Sequence, residues 1–141
     1  MTTASRVVLL VEGDIIVRLP LAEYLRDCGF TVFEASNGDE AKTLLTSSGA
    51  PIEIVLADMA TDGSGFALRQ WIREYNHPAE IILAGSIERA VDRAADICKD
   101  GPDLAKPYEH CIVLDRIRRG LASRDRGRCR IAYRLGFELP P

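Results

Sequence analysis

Four apolar runs in this chain end in residues that could do chemistry. Val7-Val8-Leu9-Leu10-Val11 runs into Glu12-Gly13-Asp14, residues 52–57 are closed by Asp58, Ile81-Ile82-Leu83-Ala84 leads to Gly85-Ser86, and Leu104-Ala105 leads to Lys106-Pro107. An aspartate closing an apolar run costs stability unless something there needs it. If Glu12, Asp14 and Asp58 share a pocket, they repel one another and stay ionised only with a cation between them. Oxygen-only ligands favour a hard ion, and Mg²⁺ completed by waters suits two or three carboxylates. The Lys106 ammonium across such a pocket would bind an anion, with phosphate the obvious one. An aspartate facing a metal-bound phosphoryl group is then a nucleophile for making an aspartyl phosphate.

These residues can meet only if the elements carrying them are arranged side by side. The first apolar run is β-branched and of the kind buried on both faces in a parallel sheet. Leu21, Ala22, Leu25 and Cys28 follow at helical spacing, Gly29 stops that helix, and Pro20 must sit early in it or kink it. Residues 31–35 read as a second strand, and Ala41, Leu44 and Leu45 as a short helix after Asn37-Gly38. The run closed by Asp58 is a third strand, and Leu68, Trp71, Ile72 and Tyr75 form an amphipathic helix. Residues 81–84 are a fourth strand, Ile87, Ala90, Val91, Ala94, Ala95 and Cys98 the next helix. Leu104-Ala105 is a weak fifth strand, and Val113, Leu114, Ile117 and Leu121 mark a fifth helix. Strands alternating with helices predict a (βα)5 α/β fold with a doubly wound parallel sheet. In the order 2-1-3-4-5, strands 1 and 3 are neighbours, and ligands bind beyond the strand carboxyl ends. That places Glu12, Asp14 and Asp58 together.

At this point the chain resembles the receiver domain of bacterial two-component response regulators. VVLLVEGD matches the strand that ends in an acidic pair, IEIVLADMATDGSGFAL the strand carrying the phosphoacceptor, and LAKPY the lysine–proline pair, over about residues 6–122. The resemblance implies a flavodoxin-like fold and Asp58 as phosphoacceptor. It also implies Mg²⁺ held by Glu12, Asp58, the Ala60 backbone carbonyl and, as a substitute ligand, Asp14. Lys106 and an offset Ser86 would contact the phosphoryl group, and the Lys106-Pro107 peptide would be cis. The donor would be a sensor histidine kinase or a histidine phosphotransferase. Four departures stand out: Gly13 replaces the carboxylate normally bound to the metal, and the loop after Asp58 is one residue short. Ala84 replaces the usual hydroxyl residue, and Asp103 the usual switch aromatic. Metal binding is therefore expected to be weak. The rival expectation is a pseudo-receiver that keeps the fold and binds partners without phosphorylation-driven switching. Either way the protein is expected to be a stand-alone signalling module rather than a conventional enzyme.

Composition bounds the rest. The chain has 141 residues, 47% hydrophobic and 28% charged, so one folded domain is expected and disorder is not. No apolar run approaches the roughly 18 residues needed to span a bilayer, and the N-terminus is no signal peptide, so a cytoplasmic protein is expected. The net charge of −3 conceals an asymmetry: residues 1–115 carry 10 basic and 19 acidic side chains, residues 116–141 carry 8 arginines and 2 acids. From about Ser123 the apolar pattern dissolves, so the division is a receiver domain over 1–122 and a loosely attached basic tail over 123–141. Without a helix-turn-helix pattern or stacking aromatics, the arginines read as a solvated tail rather than a nucleic-acid surface. Ile131, Tyr133, Leu135 and Phe137 alternate, which allows an added strand at a homodimer edge. Cys28, Cys98, Cys111 and Cys129 form no CxxC pair and read as thiols in a reducing compartment. Trp71 reads as helix-face packing, and His77 and His110 as solvent-exposed.

Overall fold

The computed structural model describes residues 6–47, 51–58, 64–75, 77–99 and 109–134. Its elements are β1 (Val7–Val11), α1 (Ile15–Asp27), β2 (Thr31–Ala35), α2 (Gly38–Ser47), β3 (Ile54–Asp58), α3 (Ser64–Glu74), β4 (Glu80–Ala84), α4 (Ile87–Lys99) and α5 (His110–Arg134). The four strands pair in parallel in the order β2-β1-β3-β4. All five residues of β1 are buried, as a central strand covered on both faces requires. Alternation then sorts the core into two clusters. Val8, Leu10, Ile54 and Leu56 point to the layer of α1, α4 and α5, whereas Val7, Leu9, Val11, Val55 and Ala57 point to α2 and α3.

The start and stop of α1 follow its sequence. Asp14 caps the first turn by accepting from the Ile16 N–H at 3.0 Å. Gly29, at φ 95°, takes the left-handed conformation after the helix, and the Phe30 N–H reaches back to the Leu25 carbonyl at 3.2 Å. Pro20 lies in the second turn, buried, where the Ile16 carbonyl gives up its helical donor. The stacked Trp71 and Tyr75 rings, 4.8 Å apart, pack along α3 as the helical spacing predicts.

Three expectations change. The weak fifth strand at Leu104-Ala105 lies outside the described residues, and α5 does not run as the last helix of a (βα)5 chain would. Helices that each follow a parallel strand run in one direction, yet α5 runs against α1 and α4. Arg116 pairs with Glu23 and Arg124 with Asp14, so numbers rise along α5 as they fall along α1; His110 with Asp92 and Arg118 with Glu88 repeat this on α4. Second, α5 passes Ser123 without a break and continues to Arg134. Val113 and Ile117 anchor its first half in the core, and the arginines beyond are good helix formers without being apolar, which hid the helix from the periodicity. Ile131 and Tyr133 accordingly stand in a helix and not in an added edge strand; Leu135 and Phe137 lie outside the described residues. Third, Cys28 and Cys98 are not thiols: they form a disulfide, with Cα atoms 5.5 Å apart, where the last turns of α1 and α4 meet. Seventy residues of sequence separation concealed a contact that the packing of two helices creates. Cys111 is free and exposed.

Candidate functional site

The register Val11↔Ala57 puts Glu12, the next residue of the chain, beside Asp58 at the end of β3, and Asp58 pairs in turn with Ala84 of β4. Glu12, Asp14, Asp58 and Ser86 thus meet around a cleft of about 210 Å³, whose walls include Val17, Gly85 and Ile87. Three of the sequence-derived acids and the offset hydroxyl are brought together as expected. Lys106, Pro107, Ala60 and Asp103 lie outside the described residues.

Each side chain in the cleft already has a local role. Glu12 is only 8% exposed and is the one buried charged residue among the described ones. Burial, followed by the neighbouring Asp58 and Asp14 charges, pushes its carboxyl up to about 7 against the pull of the Asp14 N–H, which donates to Oε1 at 3.1 Å. A side-chain hydrogen bond with Asp58 raises the Glu12 carboxyl further. Two guanidinium groups approach this end of the sheet. Arg18 donates from Nη1 to the Glu12 carbonyl at 2.9 Å and from Nε to Glu34 at 3.1 Å. Arg124 donates from Nη1 to both Asp14 oxygens at 3.0 Å. Ser86 accepts from the Arg89 N–H at 3.2 Å and caps α4, so its hydroxyl sits at the cleft while serving the helix. Ala84 is buried and brings no hydroxyl to the cleft.

Arg124 was missed in the sequence because it lies 110 residues from Asp14, in a stretch with no apolar period to place it. Only the reversed course of α5 brings it to the strand carboxyl ends.

With Arg124 on Asp14, the acids as arranged do not fit a bound divalent cation. Asp14 faces Arg124, and among the described residues no group of three or more His, Cys, Asp or Glu is placed to hold a metal ion. What the arrangement offers is a half-buried carboxylate, Asp58, at the end of a strand, beside the buried Glu12, whose carboxyl is pushed up to about 7.

Known proteins share this layout. No family model matches the chain. Over 121 residues it is 32% identical to the transcriptional regulatory protein GltR of Pseudomonas aeruginosa, a match taking in 84% of this chain and 50% of GltR. The chain therefore spans half the length of that curated relative. Among solved structures, a response regulator from Thermotoga maritima matches with a TM-score of 0.53 and 22% identity, over 84% of this chain and 99% of that one. The chemotaxis response regulator CheY4 of Vibrio cholerae matches at 0.52 and 21%, over 83% and 99%. The MaeR response regulator bound to beryllium trifluoride matches at 0.51 and 27%, over 80% and 97%. Shared sequence with one regulator and shared fold with several converge: the chain has the fold of response-regulator receiver domains and is similar to them in sequence.

Proposed function

We propose that the chain is a receiver module of two-component signalling whose Asp58 accepts a phosphoryl group from a sensor histidine kinase or a histidine phosphotransferase. The observation that carries this reading is the position of Asp58: half-buried at the end of β3, in the cleft, with Glu12, Asp14 and Ser86 around it. An Asp58 carboxylate oxygen attacks phosphorus and forms an acyl phosphate. The bond from phosphorus to the donor breaks, and the donor leaves with its electron pair, as a neutral imidazole from a phosphohistidine protonated on its other ring nitrogen or as acetate from acetyl phosphate. Ser86 and Lys106 are proposed as phosphoryl contacts, and the Lys106-Pro107 peptide as cis. The receiver unit is assigned to residues 1–122, and the basic segment 123–141 begins inside α5 and bears on the site through Arg124.

A second reading, the pseudo-receiver that binds partners without phosphorylation, is favoured by Gly13, by the buried Ala84 and by the engagement of Asp14 with Arg124. Incubation with acetyl phosphate separates the two. Uptake of one phosphoryl mass, abolished by Asp58→Asn, supports the acceptor reading. Absence of an adduct under conditions that label an ordinary receiver selects the pseudo-receiver, and unchanged uptake by Lys106→Ala removes Lys106 from the site.

A further inference from the structure

Exposed ion pairs are common on this surface and contribute little, as with Arg6–Glu53 or Arg93–Asp96, whose side chains are each 40% exposed or more. The Arg124–Asp14 pair differs in three ways. Its side chains are 35% and 29% exposed, and one amino nitrogen sits 3.0 Å from both carboxylate oxygens. The Arg124 Nε is buried and without a hydrogen-bond partner among the described residues, a cost accepted only where the position of the guanidinium matters. One helical turn earlier, Gly120 lets α5 lie directly on the start of α1, where an added Cβ would come within 2.8 Å of the Ile16 Cγ2. A glycine inside a helix weakens it, and here it allows the approach that brings Arg124 to Asp14.

The site therefore lacks a carboxylate at Gly13 and carries a built-in cation on the acid that could substitute for it. We propose that Arg124 is an intrachain latch on the acidic cleft: its guanidinium occupies Asp14 in place of a divalent cation, so that cation binding and docking of the outer half of α5 exclude one another. The proposal rests on the reading of Glu12, Asp14 and Asp58 as one acidic site, and adds what controls access to it. A cation binding there must displace the latch, and displacement frees the Arg-rich end of α5 for other contacts.

The test uses the full chain and Mg²⁺ alone, followed by calorimetry, in the parent protein, Arg124→Gln, Arg126→Gln and Asp58→Asn. Arg126 is exposed, and its substitution changes the net charge equally without touching Asp14. Losing a competing, partly exposed ion pair should tighten Mg²⁺ binding roughly two- to fivefold in Arg124→Gln over Arg126→Gln, and Asp58→Asn should remove the heat. Equal affinities of the two arginine variants overturn the latch while leaving the acidic site intact. If no variant binds Mg²⁺, the acidic-site reading is what fails, and hydrogen exchange decides the latch. Asn caps a helix as well as Asp does, so Asp14→Asn removes the charge and keeps the cap. Faster exchange of amides 121–126 in both Arg124→Gln and Asp14→Asn, but not in Arg126→Gln, supports the latch. The same rate in all three overturns it.

Discussion

At one end of the layer formed by α1, α4 and α5, the Cys28–Cys98 bond ties α1 to α4 covalently, without charge. At the other end, where the strands point, α1 is held to α5 by Arg124 and Asp14, next to the buried Glu12 and the half-buried Asp58. A disulfide is indifferent to salt and to pH near neutrality, whereas an ion pair on a half-exposed rim exchanges readily for another cation. Two of these helices, α1 and α4, are thus fixed at one end, and α1 and α5 are releasable at the other. Any ligand-driven change belongs at the releasable end, which is where Asp58 lies.

The largest expected effect breaks the fixed end. Closing a loop of 70 residues stabilises the folded chain by about 4 kcal/mol on the chain-entropy account. Reduction, or Cys28→Ala with Cys98→Ala, should lower the thermal midpoint by on the order of 10 °C, and reductant should not affect the double variant. The parent protein, alkylated without prior reduction, should leave Cys28 and Cys98 unlabelled and Cys111 labelled. Labelling of all three would show that the two ends are alike in being non-covalent.

The next effect appears only at the site end. Glu12, with an ordinary value near 4.5, is raised to about 7, so between these values the folded protein keeps a proton that the unfolded chain has released. Stability from this group is complete below about pH 4.5, falls as pH rises, and is lost above about 7, a loss on the order of 3 kcal/mol. Denaturant midpoints should therefore decline from pH 5 to pH 8, and Glu12→Gln should flatten that decline. A flat profile in the parent protein would mean that Glu12 is not held neutral by burial beside Asp58.

The site end was also the more legible in sequence, up to a point. Strand ends are visible because apolar runs stop abruptly, so Glu12, Asp14, Asp58 and Ser86 could be placed together once a strand order was assumed. Periodicity and crossover handedness gave a doubly wound parallel sheet, and the β2-β1-β3-β4 pairing agrees with the order that the receiver resemblance implied for its first four strands. Contacts between distant helices follow no such rule. Cys28 with Cys98 depends on how the ends of α1 and α4 pack, and Arg124 with Asp14 depends on α5 running against α1. An arginine-rich helix shows no apolar stripe, so α5 beyond Ser123 read as a tail.

The smallest expected effect sharpens the contact between α5 and α1. In a helix interior, Gly→Ala ordinarily gains about 1 kcal/mol, because alanine has less backbone freedom to lose. At Gly120 the added methyl would lie 2.8 Å from the Ile16 Cγ2, on a branched side chain with little room to retreat at the first turn of α1. The clash should cancel the gain, so Gly120→Ala is expected to be neutral or destabilising by up to about 1 kcal/mol. Ile16→Ala removes the obstructing methyl at its own cost, which a double-mutant cycle subtracts. On that background Gly120→Ala should regain much of the propensity term, giving a coupling of about 1 kcal/mol between positions 16 and 120 in urea unfolding. Full stabilisation by Gly120→Ala in the parent protein, with no coupling to Ile16, would mean that α5 stands off from α1 there. Arg124 would then reach Asp14 only as an ordinary surface pair, and the two ends of the helical layer would differ in strength alone.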